Sequence, residues 1–335
     1  MKAAQIYEYG PSDVFRVEDL PRPALKPRDV LVEVHAASVN PIDYKIRNGG
    51  QRGGIRYKLP HVLGMDVSGV VIEVGSAVTR FKVGDEVYSS PTHSRNGTYA
   101  EMVAIDERAV ARKPSNLTHE EAASIPLVGL TAWESLVIKA DLKPGEKVLI
   151  QAGSGGVGTF AIQLAKAMGA HVITTCSGRN EELVRSLGAD EVVDYTKQDF
   201  AEVLSELDVV VDALGQEAQH KALKVLRRGG RLACLNAGLP IYTAKYGPTL
   251  GLLRTGWGIL SFKLKARFRY GVSSWTILRQ TDGALLDKIT TYLEDGSIRP
   301  IIDKVFPLEQ IAEAHKAIET GRTRGKIVIA VKPGA

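Results

Sequence analysis

The stretch KVLIQAGSGGVGTFAIQLAKAMGAHVITTCSGRN, Lys147–Asn180, decides the fold. KVLIQA reads as a short apolar strand, GVGTFAIQLAKAMG as a helix and HVITTC as a second strand. Between the first strand and the helix, Gly153, Gly155 and Gly158 satisfy G-x-G-x-x-G. Glycine permits a tight turn there and lets backbone N–H groups approach an anion. The helix N-terminus adds unpaired donors and a positive dipole end. The alternation continues with NEELVRSLG as helix, EVVDY as strand, DFAEVLSEL as helix and DVVVDAL as strand, then EAQHKALKVLRRG as helix and GRLACLN as strand. Short apolar strands alternating with helices imply a parallel sheet covered on both faces.

A turn of this kind in this setting points to a bound dinucleotide. Such a fold usually places an acid at the end of the second strand to grip the ribose 2′-hydroxyl. That place reads Thr175-Cys176-Ser177-Gly178-Arg179, with no acid in it. A hydroxyl and a guanidinium attract a 2′-phosphate that a carboxylate would repel. Ser177 and Arg179 therefore favour NADPH over NADH, and Tyr195 at the end of the third strand is a candidate wall of the same pocket.

Upstream, DVLVEVHAASV, VSGVVIEVG and DEVYSS are β-branched runs punctuated by glycine, proline and charge, so residues 1 to about 125 read as a β-rich domain, a partly closed barrel. Thr118 and Glu121 form a capping-box pattern that starts a helix running to about Ile125, with another helix after Pro126. After Asn236 the pattern loosens, and residues 239–270 carry six cations and no acid. This stretch reads as a solvated loop or subunit contact, ahead of an attractor for an anionic substrate tail or a membrane surface. Regularity returns with a helix at DGALLDKITTYLEDG, a strand at IIDKVF, a helix at LEQIAEAHKAIETG and a last strand at GKIVIAV.

The chain has 335 residues, enough for two domains. A net charge of +5, from 43 cations and 38 anions, is no nucleic-acid signature. Cys176 and Cys234 are the only cysteines, which excludes a four-cysteine zinc site and suits a reducing compartment. No signal peptide, transit peptide or integral membrane segment is readable, and the expected location is cytoplasmic.

Several ordered segments carry a resemblance: ASVNPIDYKIRNG, LGMDVSGVVIEVGSAVTRFKVGDEVY, GTYAEMVAI, AASIPLVGLTAWESL, the glycine turn, LGADEVVDY and GKIVIAV. Over nearly its whole length the chain resembles the zinc-free quinone oxidoreductase branch of the medium-chain dehydrogenase/reductase superfamily. The resemblance implies an α/β protein, a GroES-like β-rich catalytic domain (1–125 and 272–335) plus a Rossmann doubly wound parallel-sheet domain (126–271). It also implies NADPH as cofactor and a homodimer. Carried over by motif, Ser154, Gly155, Gly156 and Val157 would meet the pyrophosphate, and Ser177, Arg179 and Tyr195 the 2′-phosphate. Thr131, Leu214 and Ala237 would line the nicotinamide half, with Lys326 also within reach of the cofactor.

Zinc-dependent relatives carry Cys, His and Cys where this chain has Asn40, Met65 and a position near Leu127. Those side chains cannot reproduce a Cys/His zinc site, so no metal is expected. Without a Lewis acid, alcohol oxidation gives way to hydride donation onto an already electrophilic acceptor, a quinone or an α,β-unsaturated carbonyl. Asn40 and Tyr44 are the candidates for orienting nicotinamide or substrate, with Tyr57 a further possibility and Asp43 holding the loop. The seven histidines have no motif context. An enoyl-CoA reductase and a cofactor-binding protein of low turnover are the competing readings. Arg179→Ala is expected to raise the Kd for NADPH about tenfold, the worth of one charge-assisted bond, and to leave NADH nearly unchanged. Equal losses for both in a fluorescence titration would contradict the 2′-phosphate assignment.

Overall fold

The computed structural model describes residues 1–92, 95 and 97–332. The first strands are β1 (Lys2–Ile6), β2 (Phe15–Asp19) and β3 (Asp29–Val39), followed by helix α1 (Pro41–Arg47). Strands β4 (His61–Val62), β5 (Val67–Val74), β6 (Glu86–Ser89), β7 (Met102–Asp106) and β8 (Val110–Arg112) come next. Helices α2 (His119–Ala123) and α3 (Pro126–Trp133) lead into strand β9 (Lys147–Ile150). Then helix and strand alternate: α4 (Gly156–Ala167), β10 (His171–Cys176), α5 (Glu181–Ser186), β11 (Glu191–Asp194), α6 (Phe200–Val203), β12 (Leu207–Asp212), α7 (Gln216–Val225) and β13 (Leu226–Cys234). The chain finishes with α8 (Leu239–Lys265), β14 (Ser273–Thr276), α9 (Gly283–Glu294), β15 (Ile302–Pro307), α10 (Ile311–Glu319) and β16 (Lys326–Ala330).

These elements form two units. The first comprises Met1–Gly49, Ile55–Leu130 and Gln280–Ala335, the second Gly50–Gly54 and Thr131–Arg279. In the first, a three-stranded sheet β2-β1-β4 accompanies a seven-stranded sheet ordered β15-β16-β3-β5-β6-β8, with β7 also on β3. β3 organises this sheet. β5 follows it from Val30 to Ala37, while β7 takes Asp29–Glu33 and β16 takes Ala36–Val39. The register of the β3–β5 pair shifts between Val34 and Ala36, where the partner on the other side changes. β-Bulges bend and twist a strand in this way. Ile6, Val39, Ile46, Tyr99, Ile327 and Ile329 belong to one buried cluster, and Val30, Val32, Val71 and Val87 to another. Each such side chain stabilises the fold by about 1.5–3 kcal/mol on burial.

The second unit holds a parallel six-stranded sheet ordered β11-β10-β9-β12-β13-β14. The alternating strands and helices expected from the sequence are present, and Thr118 and Glu121 form the expected capping box. Three local expectations are corrected. The helix expected through Arg228 stops at Val225, because Leu226 enters the sheet opposite Leu207 and Arg227 pairs with Asp208 at 2.5 Å. The helix expected over DFAEVLSEL is only α6, since Leu204 is already extended and Glu206 has a φ of 54° before β12 begins. The largest change is at 239–265, expected as a loop and found as helix α8, kinked at Gly247 and Pro248. Its glycines and its outward apolar residues hide the usual helical pattern. The expectation also omitted β14.

Gly69 in β5 shows how tightly the first sheet is built. A Cβ there would lie 2.0 Å from the Glu33 carbonyl oxygen, a backbone atom that cannot swing away. Gly69→Ala is expected to cost about 2 kcal/mol or more, read as a lower urea midpoint. An unchanged midpoint would show that β3 and β5 separate freely at this point.

Candidate cofactor and catalytic sites

In the second unit the glycine turn is held from both sides. The Ala152 N–H donates to Thr175 Oγ1 at 3.1 Å and the Gly153 N–H to the Thr175 carbonyl at 2.9 Å. A Cβ on Gly153 would fall 2.0 Å from Thr174 Oγ1, and one on Gly158 2.3 Å from the Ala152 carbonyl oxygen. These two glycines are required by packing within the turn. Gly155 is different: a Cβ there would meet only the Ala152 oxygen, at 3.3 Å. Gly156 and Val157 begin α4, whose first-turn N–H groups have no intrahelical acceptor. The open side of the turn and the helix end fit a pyrophosphate.

The corner after β10 is tied to this turn. Asn180 is buried, and its Nδ2 donates to Ser154 Oγ at 2.9 Å and to Ser177 Oγ at 3.4 Å. The Tyr195 N–H donates to the Cys176 carbonyl at 3.2 Å, which sets Tyr195, 64% exposed, beside Ser177. Arg179 is exposed in the same short turn. Asp194, near Gly178, accepts from the Thr196 N–H and hydroxyl and pairs with Lys197 at 3.5 Å. Ser154, Ser177 and Tyr195 are thus brought to one corner. Asn180 was missed by the sequence reading, although an Asn three residues past Ser177 is a turn signal.

The ends of β12 and β13 are organised by Asp212, which sequence reading also missed. Its carboxylate accepts from the Leu214 N–H at 3.1 Å and from Gln219 Nε2 at 2.9 Å, and Gln219 Nε2 also reaches the Asn236 carbonyl at 2.8 Å. Burial pushes the Asp212 carboxyl up to about 6 against these donors. Leu214 is 56% exposed, and Ala237 follows Asn236 on the wall of a pocket of 470 Å³. Gln216, Tyr242, Phe262 and Trp275 also line that pocket. Thr131 lies in α3, buried, its carbonyl accepting from Ser135 Oγ at 2.7 Å.

In the first unit, Lys326, Asn40 and Asp66 form a buried polar knot. Lys326 Nζ donates to Asn40 Oδ1 at 2.5 Å, to the Val39 carbonyl at 3.2 Å and to Asp66 Oδ2 at 3.3 Å. Asp66 Oδ2 also accepts from Ser38 Oγ and Asn40 Nδ2, each at 2.8 Å, and its Oδ1 accepts from the Leu127 N–H at 2.8 Å. Positions 40 and 127 therefore both converge on Asp66. Asn40 precedes α1, where its N–H donates to Asp43 Oδ2 at 2.8 Å, and Tyr99 Oη donates to the same oxygen at 3.0 Å. Asp43 thus holds the loop. Tyr44, the next residue of α1, is half-buried and takes no part in the knot's hydrogen bonds given above. Tyr57 stacks on His61 with ring centroids 3.9 Å apart. Burial draws Lys326 below the ordinary lysine value, while Asp66 and Asp43 oppose the shift.

A glycine turn feeding a parallel sheet, together with a separate β-rich unit, defines a dinucleotide-type α/β protein of two units. Residues 26–115 match the "Alcohol dehydrogenase GroES-like domain" family and residues 187–329 the "Zinc-binding dehydrogenase" family. The chain is 38% identical over 354 residues to the mitochondrial NAD(P)H oxidoreductase RTN4IP1 of Mus musculus, covering 99% of this chain and 89% of the relative. It is 36% identical over 340 residues to the chloroplastic NADPH-dependent alkenal/one oxidoreductase of Arabidopsis thaliana, covering 98% and 79%. The solved quinone oxidoreductase of Coxiella burnetii superposes with a TM-score of 0.85 at 33% identity, covering 99% of both chains. The chain belongs to the medium-chain dehydrogenase/reductase superfamily.

Burial, helped by the neighbouring Asp66, lifts the Asp43 carboxyl from 3.8 to about 7, against the bonds from Asn40 and Tyr99. The folded state therefore holds this proton more tightly than the unfolded chain. Its stability is penalised as pH rises from about 4, where the unfolded carboxyl ionises, to about 7, where the folded one begins to follow. Asp43→Asn keeps an oxygen for Asn40 and Tyr99 but cannot ionise. Urea unfolding at a series of pH values should show the variant gaining on the natural protein between about pH 4 and 7. A pH-independent difference would mean that Asp43 is ionised across that range.

Proposed function

We propose that the protein is an NADPH-dependent reductase that delivers a hydride to a quinone or an α,β-unsaturated carbonyl without zinc. The observation that carries the zinc-free reading is the Lys326 ammonium between Asn40 and Asp66. The "Zinc-binding dehydrogenase" family name implies a metal. Where its relatives place zinc ligands, this chain has Asn40, Met65 and a position near Leu127, with an ammonium in hydrogen-bonding contact with Asn40. No group of three or more His, Cys, Asp or Glu among the described residues could hold an ion. These residues do not fit zinc, because a cation already occupies the donor shell and the thiolates and imidazole are missing.

The glycine turn fits the pyrophosphate of NADPH, with Ser154, Gly155, Gly156 and Val157 as its contacts. Ser177, Arg179 and Tyr195 take the 2′-phosphate, while Thr131, Leu214 and Ala237 line the nicotinamide half. Bound there, NADPH supplies the hydride. The protein's own part is to fix geometry and exclude water. Asn40 Nδ2 spends one hydrogen on Asp66, and its second N–H can orient a carboxamide or carbonyl oxygen. Lys326 has three acceptors for its three N–H donors, so it acts by holding the Asn40 carboxamide in one orientation. Tyr44 is the second orienting candidate.

The reading extends to a cytoplasmic homodimer. Cys176 and Cys234 are buried and unpaired, which supports a reducing compartment. β14 ends its sheet, and the outer edge of such a strand can pair with a second copy. The substrate assignment is tested by NADPH and NADH oxidation with an ortho-quinone, a para-quinone, an enone and an enoyl-CoA side by side. Turnover with NADPH on a quinone or enone, in protein free of stoichiometric zinc, is expected. Tight NADPH binding with no turnover would favour a binding protein, and preference for the thioester an enoyl-CoA reductase.

A further inference from the structure

Helix α8 is built inside out. After the kink at Pro248 its buried positions are small, namely Gly251, Thr255 and, in the following turn, Ala266. Phe262 packs on the core and Ile259 lines the pocket, but most of its other large apolar residues face away from the protein. Leu250 is 58% exposed, Leu253 64%, Trp257 67%, Leu260 49% and Leu264 47%, and Phe268, in the π-helical turn Ala266–Tyr270 that follows α8, 82%. Within α8 they recur every three or four residues, and at 3.6 residues per turn they form one stripe roughly 80° wide opposite the buried face, which Phe268 extends into the next turn. Exposed cations flank the stripe: Arg254 and Lys265 on one side, Lys263 and Arg267 on the other. Residues 239–270 contain no acid.

A surface helix of a soluble protein normally turns its apolar stripe inward. An exposed apolar stripe of this length marks an interaction surface. A second copy of this chain would bring the same flanking cations against themselves in a two-fold contact. A bilayer with anionic headgroups meets both features. Acyl chains receive Leu253, Trp257 and Phe268, and long basic side chains reach back to the phosphates. From Pro248 to Lys265 the helix is about 27 Å long at 1.5 Å per residue. No helix among the described residues is long and apolar enough to cross a membrane, so α8 would lie in the interface.

We propose that α8 docks this protein on the surface of an anionic lipid bilayer through the Leu250–Phe268 stripe. This docking does not depend on which acceptor is reduced. The test uses the full chain with vesicles of phosphatidylcholine alone, or with about a third phosphatidylglycerol added. Co-sedimentation should be about tenfold greater with the anionic vesicles and should fall in high salt. In a Trp133→Phe/Trp275→Phe background, Trp257 emission should move to shorter wavelength and be quenched by brominated acyl chains. The Leu253→Glu/Phe268→Glu variant should lose both signals while keeping its far-UV circular dichroism and its NADPH affinity. Equal sedimentation with both vesicle types, or binding retained by that variant, would overturn the docking. So would a natural protein that ignores vesicles while the variant changes from dimer to monomer in sedimentation velocity, because the stripe would then be a contact between copies.

Discussion

One buried ammonium joins distant parts of the first unit. Lys326 reaches Asn40 and Asp66 across 286 and 260 residues of sequence. Burying such a charge is costly unless its donors are all matched. Here three N–H groups meet three acceptors, and the Asp66 carboxylate takes donors on both oxygens. The knot therefore fixes the orientation of the Asn40 carboxamide, the start of α1 and the backbone at Leu127 together. Any chemistry carried out at Asn40 inherits its geometry from a residue on the last strand.

The second unit achieves the same fixity by steric means. Gly153 and Gly158 are pinned by Thr174 and Ala152, so the turn has little freedom to change shape. The bridge from Ser154 through Asn180 to Ser177 then ties the glycine turn to the corner after β10. An anion arriving there meets donors already oriented, which reduces the ordering cost of binding.

Legibility in the sequence followed the strength of local signals. The alternation from Lys147 to Cys234 was readable because its strands are short apolar runs and the glycine turn punctuates them. Asn40 and Lys326 were singled out, yet their bond to each other was invisible, since nothing local links positions so far apart. Asp66 was passed over because its importance comes from three-dimensional convergence. Asn180 and Asp212 carry turn chemistry that the sequence permits at many other positions. Helix α8 was hidden because its inward side is mostly small, with Gly251, Thr255 and only Phe262 as a large contact to the core, while its other large apolar residues point out.

The place of β16 in the first sheet bears on how the molecule is made. It lies between β15 and β3, yet it is the last strand of the chain. During synthesis the N-terminal segments emerge first and domains tend to fold in that order. Here the parallel sheet has all its strands by Thr276, while β3, already paired with β5 and β7, still lacks its partner along Ala36–Val39. Newborn chains thus pass through an interval with one finished half and one unsealed edge, and that interval is when the protein most needs protection from sticking to its neighbours.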